Sequence, residues 1–327
     1  MLKFVDLFCG GGFGARGAVT AGAKPILAVD SWDLATKTYA SNFSDAEVIC
    51  SPIEKLKPKQ LAERHKPDVL LTSPECTSHS IARGAKPKCE KSRETAIGII
   101  PWIKAMNPRW LIVENVNRMK QWERHNELIT SIKSHGYSVN DLLLNAADFG
   151  TPQSRKRMFL VCDREGSVIT EEDLYKLHQR SEKSARSIID WSGKYRSSPL
   201  YKEGRAQATL DRAERAFAEL GRNKDFIIVY YGTDYAGGWQ SLDAPLRTIT
   251  TLDRFGLVTW EGSTPHLRML QPSELMKAMG AGSKHVLPHG NRRDKVRLCG
   301  NGVCSPVMEM IFKKINQIYS SEMDVAS

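Results

Sequence analysis

The stretch Leu70-Leu71-Thr72-Ser73-Pro74-Glu75-Cys76-Thr77-Ser78-His79-Ser80 decides how this chain reads. An apolar run over residues 68–71 has the length of a short buried strand, and Pro74 stops it. Small polar residues follow, as in a loop at the carboxyl end of a parallel strand. Open α/β sheets place ligands and chemistry at that edge. A cysteine presented there is either a nucleophile or a buried structural thiol.

Working outward, strand patterns occupy residues 3–8, 26–29, 48–50, 69–71 and 110–113. Helical spacing occupies 15–21, 33–42, 57–65 and 93–106 between them. This alternation predicts a right-handed, mostly parallel sheet with helices on both faces. Residues 126–135 read as a further helix ending at Gly136, and 137–143 with 158–162 as a closing antiparallel pair. After residue 163 the pattern changes. Residues 181–224 are polar, basic and aromatic, while 226–231, 246–251 and 256–260 alternate like strands. The tail over 272–319 returns to helix. The expected division is 1–180 with 266–327 as a catalytic and cofactor-binding domain, and 181–265 as a small β-rich target-recognition domain.

Composition narrows the function classes. A chain of 327 residues, 41% hydrophobic and 26% charged, fits a soluble globular protein with a sizeable core. No stretch reads as a signal peptide or a membrane span. The seven cysteines are scattered and odd in number. They fit a reducing cytoplasm better than a disulfide framework or a metal site. The net charge of +10 favours a polyanionic partner, with a solvated basic surface as the alternative.

Several short patterns carry chemistry. Cys9-Gly10-Gly11-Gly12-Phe13-Gly14 between a strand and a helix lets backbone N–H groups approach a ligand, and Asp30 at the next strand end can accept from ribose hydroxyls. Trp32 can lie against an adenine face. Phe13 stands where a small residue usually clears room for a pyrophosphate, so a nucleoside cofactor without one, such as S-adenosylmethionine, fits better. Glu114-Asn115-Val116 follows a strand and puts a carboxylate near Cys76, where burial would raise its pKa. In Gln153-Ser154-Arg155-Lys156-Arg157 the two arginines fall on one side of an extended segment. Taken singly, each pattern reads equally as a turn, a helix cap or a surface basic run. Gly300-Asn301-Gly302-Val303 reads as a turn before a helix over 307–318.

Taken together and in this order, the patterns resemble the DNA (cytosine-5) methyltransferase family over nearly the whole chain. Asp6-Leu7-Phe8-Cys9-Gly10-Gly11-Gly12 looks like its cofactor loop, and Pro74-Glu75-Cys76 like its Pro-Pro-Cys nucleophile loop. Glu114-Asn115-Val116 and Gln153 through Arg157 match its Glu-Asn-Val and Gln-x-Arg-x-Arg motifs. Arg247-Thr248-Ile249-Thr250-Thr251 is similar to the segment bracing the small domain, and Gly300-Asn301-Gly302-Val303 resembles its late cofactor loop.

The resemblance implies Cys76, Glu114, Arg155 and Arg157 as catalytic groups acting on a flipped-out cytosine of double-stranded DNA. It implies S-adenosylmethionine, and no metal, bound by Phe8, Cys9, Gly10, Gly11, Gly12, Asp30, Ser31, Trp32, Ile53, Pro74, Asn301 and Val303. Expected DNA contacts are Ser80, Arg186, Lys194, Arg196 and Arg205. A homodimer and a cognate restriction nuclease stay open as partners; a membrane is not expected. Three departures stand out. Glu75 replaces the second proline, Phe13-Gly14 replaces glycine followed by a bulky residue, and Pro52 replaces an acid before Ile53. A tRNA cytosine-5 methyltransferase and a non-catalytic DNA-binding homologue are the alternatives, with a nicotinamide oxidoreductase more distant.

Overall fold

The computed structural model describes residues 1–74, 95–178, 182–232 and 237–326. Glu75, Cys76 and Ser80 therefore lie outside the described residues.

The chain opens with β1 (Lys3–Leu7), α1 (Phe13–Thr20), β2 (Lys24–Asp30), α2 (Asp33–Asn42), β3 (Glu47–Cys50), α3 (Pro58–Arg64) and β4 (Val69–Thr72). All four residues of β4 are buried, as a strand covered by helices on both faces requires. It continues with α4 (Ile100–Met106), β5 (Trp110–Asn115), α5 (His125–Ser134), β6 (Ser138–Asn145) and β7 (Lys156–Asp163). These strands form one sheet in the order β3-β2-β1-β4-β5-β7-β6. Pairing is parallel from β3 to β5 and antiparallel at β7 and β6. Because β1 lies between β2 and β4, the loops leaving β1 and β4 meet at the switch point of the sheet.

β5 runs two residues beyond the sequence reading. Glu114 and Asn115 are its last rungs, paired with Phe159 and Met158 of β7. The long β7 explains the extension, since its eight residues continue the ladder past Val113.

A second sheet follows α6 (Glu171–Leu177). It is built from β8 (Ser198–Pro199), β9 (Phe226–Val229), β10 (Trp239–Ser241), β11 (Phe255–Glu261) and β12 (Thr264–Met269), in the antiparallel order β10-β9-β11-β12-β8. Between β8 and β9 lies a helix that the sequence reading missed, α7 (Gln207–Leu220). It buries Ala213, Ala216 and Phe217 against Phe226, Ile228, Val258 and Leu267, with the Phe217 and Phe226 rings edge to face at 5.4 Å.

Residues 246–251 do not form a strand of this sheet, contrary to their alternation. They run as an extended strap along residues 152–155, with an isolated parallel bridge between Gln153 and Leu246. Leu246 N donates to Pro152 O at 3.0 Å and Ser154 N to Leu246 O at 2.7 Å.

The tail is three helices, α8 (Pro272–Ala278), α9 (Arg292–Asn301) and α10 (Ser305–Ala326). Gly300 and Asn301 end α9 rather than forming a turn; only Gly302 and Val303 lie in the turn. α10 packs on α1 so closely that a Cβ on Gly17 would overlap the Ser305 carbonyl. Where β12 meets α8, a buried pair closes the junction: Arg268 Nη2 donates to Glu274 Oε1 at 2.7 Å and Nη1 to Oε2 at 2.8 Å. Among the described residues no helix is long and apolar enough to cross a membrane.

Candidate active site

Two groups of residues meet at the switch point. The first is the glycine loop. Phe8, Gly10 and Gly12 have φ of 58°, 52° and 80°, so the chain turns sharply as it leaves β1. At Gly10 a Cβ would meet nothing within 4 Å, whereas at Gly12 it would lie 2.6 Å from Phe43. Gly10 therefore faces open space and Gly12 faces the core. The loop is tied to β2 by Asp30, whose Oδ2 accepts from Gly10 N at 2.9 Å and Oδ1 from Trp32 N at 2.8 Å. The carboxylate keeps lone-pair capacity for a ligand hydroxyl. Burial raises the Asp30 pKa, and these N–H groups and Arg297 oppose the rise.

A small recess lies above the loop. Phe8, Cys9, Gly10, Gly11, Asn301 and Val303, all cofactor candidates in the sequence, line it together with Asp6, Phe13, Gly14, Leu71, Ser73 and Gly302. Gly12, Asp30, Ser31, Trp32, Ile53 and Pro74 do not line it. Asp30 stands one hydrogen bond behind Gly10, Trp32 is half-buried, Ser31 is exposed and Ile53 is packed in the core. The open side at Gly10, the spare lone pairs on Asp30 and the adjacent indole are chemically suited to a nucleoside cofactor of the S-adenosylmethionine type.

Two buried groups here carried no role in the sequence reading. Asp6 is 4% exposed. Burial first, then the nearby Asp30 carboxylate, raises its pKa well above the usual carboxylate range. The only signal in the sequence was its place inside the glycine motif. His285 is fully buried, with its ring 4.5 Å from that of Phe13. Burial and the neighbouring Arg16 push its pKa down to about 3. A lone histidine in the tail, which the sequence reads as helix throughout, offers no signal of its own.

The second group is acidic and basic. On neighbouring antiparallel strands, Glu114 opposite Phe159 is the diagonal neighbour of Arg157 on one face. Arg157 Nε lies 3.3 Å from Glu114 Oε1. Burial raises the Glu114 pKa, and Arg157, Arg155 and Ser73 pull it back in that order. The adjacent Asn115 donates from Nδ2 to Pro74 O at 3.1 Å, which fastens Pro74 to the end of β5.

Arg155 is placed differently from its neighbour. It is 3% exposed, and its guanidinium donates to Ile249 O at 2.9 Å and Gly300 O at 2.8 Å. It joins the strap to the end of α9 through both η nitrogens, and its charge also acts on Glu114. Gln153, fully buried, also holds the strap. Its Nε2 donates to Ala278 O at 3.0 Å and its Oε1 accepts from Ile249 N at 2.9 Å.

The expected DNA contacts separate as well. Arg186 pairs with Asp243 and Asp225, and Lys194 with Asp190. Arg205 donates to Leu200 O and Ser198 Oγ. Arg196 is exposed.

A family model described as C-5 cytosine-specific DNA methylase matches residues 2–317. The chain belongs to that family. Among curated relatives of this methylase chain, the type II methyltransferase M.HgiDI of Herpetosiphon aurantiacus is 30% identical over 76% of this chain and 80% of its own. M.Bsp6I of Bacillus sp. (strain RFL6) is 25% identical over 96% and 98%. The fold is also that of the S. pombe Dnmt2 methyltransferase crystal structure, with a TM-score of 0.69, 15% identity, and coverage of 97% of this chain and 99% of that one.

Proposed function

We propose that the chain transfers a methyl group from S-adenosylmethionine to carbon 5 of a cytosine flipped out of double-stranded DNA. The observation that carries this reading is the meeting of Glu114 and Arg157 with Pro74, fastened by Asn115, beside the glycine-loop recess. When bound, the cofactor supplies an electrophilic methyl group.

Within this reading the Cys76 thiolate adds to carbon 6 of the ring, converting a poorly nucleophilic carbon 5 into an enamine carbon. Glu114 holds ring N3 and the exocyclic amino group, stabilising charge on the base as the sulfur adds. Its raised pKa favours the protonated form, which can donate to N3. Arg157 orients Glu114 and faces the base carbonyl. After methylation, loss of the carbon 5 proton and departure of the thiolate restore the aromatic ring. Arg155 is a positioning residue for the strap, not a catalytic one. Flipping costs about a few kcal/mol, and phosphate contacts from individual basic residues of the unit bearing the five-stranded sheet offset it. Arg196 is the strongest of the four basic candidates there, since the other three have partners within the chain.

Incubation with methyl-labelled S-adenosylmethionine and either duplex DNA or tRNA tests the reading. Label in 5-methylcytosine of DNA is the expected result. Label in tRNA alone would move the substrate to RNA, and no label in either would remove the activity.

A further inference from the structure

α9 ends at Asn301, which lines the recess. One turn earlier on the same helical stripe stands Arg297. Its side chain crosses to the start of α2, where the guanidinium carbon lies 4.3 Å from the centroid of the Trp32 ring. Arg297 is exposed, and its neighbour on the helix, Arg292, is occupied by Asp253 and the Leu270 carbonyl. Trp32 is thus held twice. Asp30 Oδ1 fixes its backbone N–H, and Arg297 covers an indole face. Because that same Asp30 also holds Gly10, the indole, the acid and the glycine loop share one frame.

We propose that Arg297 is a positioning residue for the adenosine end of the cofactor, holding the Trp32 indole as the platform on which adenine stacks. The proposal rests on the S-adenosylmethionine reading above. A guanidinium over an indole attracts its π face, and a partly hydrated contact of this kind is worth about a two- to fivefold change in affinity. The Arg297 charge also acts on Asp30, lowering its pKa against the effect of burial. It thereby favours the ionised acid that accepts from ribose. Both effects belong to the cation, so lysine retains much of them while alanine loses them.

Calorimetric titration of the purified protein with S-adenosylhomocysteine tests this on wild type, Arg297→Ala, Arg297→Lys and Arg297→Glu. The expected result is a Kd about threefold weaker for alanine, near wild type for lysine, and weaker than alanine for glutamate. In methyl transfer, KM for S-adenosylmethionine follows the same order while kcat and KM for DNA hold. Equal Kd in wild type and Arg297→Ala overturns the proposal, as does equal loss in Arg297→Lys and Arg297→Ala, or a loss confined to KM for DNA. If wild type itself fails to bind S-adenosylhomocysteine, the cofactor reading falls and the proposal with it. That outcome is distinct from a variant that binds as wild type does.

Discussion

Arg157 Nε stands 3.3 Å from Glu114 Oε1, with side-chain exposures of 16% and 9%. The acid is shielded from water, yet its pKa is raised, so burial outweighs the arginine. A raised folded-state pKa means that stability from this group is complete below the unfolded value, about 4.3, and is lost as pH rises through the folded value. Wild type should therefore lose stability relative to Glu114→Gln as pH increases from 4 to 8, read by urea denaturation at each pH. A difference that is flat across this range would place Glu114 at an ordinary pKa.

The same substitution should cost far more in rate than in binding. If Glu114 acts on charge that develops on the base, Glu114→Gln should lower kcat by about 10²–10³-fold with DNA affinity within a few-fold of wild type. Single-turnover methyl transfer and filter binding give the two numbers.

Arg155 and Arg157, two positions apart, should fail in opposite ways. Arg155→Ala strips a donor from two buried carbonyls, Ile249 O and Gly300 O. The cost should be about 3 kcal/mol of stability, with the strap loosened from α9. Arg157→Ala should cost less stability than Arg155→Ala but reduce kcat, because its partner Glu114 is the acid proposed to hold the base. Thermal denaturation and kcat measured on both variants separate the roles.

The 246–251 strap shows where sequence reading reached its limit. Alternation of Leu246, Thr248 and Thr250 reports an extended backbone, and both strands and straps are extended. Only the partner distinguishes them, and here the partner is the Gln153 to Arg155 segment rather than a sheet neighbour. α7 escaped notice for another reason. Its buried face is carried by Thr209, Ala213, Ala216 and Phe217, too small and too diluted by charge to stand out as an apolar stripe. The parallel half of the large sheet was legible because its strands are short unbroken apolar runs punctuated by Gly and Pro. The Glu114–Arg157 meeting was legible only as two motifs, since the strand order that joins them is a long-range property.

His285 gives a second pH prediction, of opposite sign. Its folded pKa of about 3 lies below the unfolded value near 6.5. Its contribution to stability is present above the unfolded value and lost as pH falls toward the folded one. Between pH 6.5 and 4 the slope should reach up to about 1.4 kcal/mol per pH unit, and His285→Gln should remove it. Denaturation of both proteins across that range reads the slopes.

Glycine substitutions should distinguish close packing from turn strain. Gly17→Ala drives a Cβ into the Ser305 carbonyl at the α1–α10 contact and should cost more than about 2 kcal/mol. Gly22→Ala meets no atom within 4 Å but must hold φ at +88°, at a cost of about 1 kcal/mol. Midpoints of chemical denaturation for the two variants give the comparison.

The proposed reaction depends most on a sulfur–carbon bond between Cys76 and the cytosine ring. Duplex DNA containing 5-fluorocytosine, incubated with S-adenosylmethionine, tests it directly, because fluorine at carbon 5 cannot leave as a proton and the adduct is trapped. Wild type should form a denaturation-resistant protein–DNA complex, and Cys76→Ser should form none. Methyl transfer to ordinary DNA by wild type without any trapped complex, or a complex of equal yield with Cys76→Ser, would contradict the account.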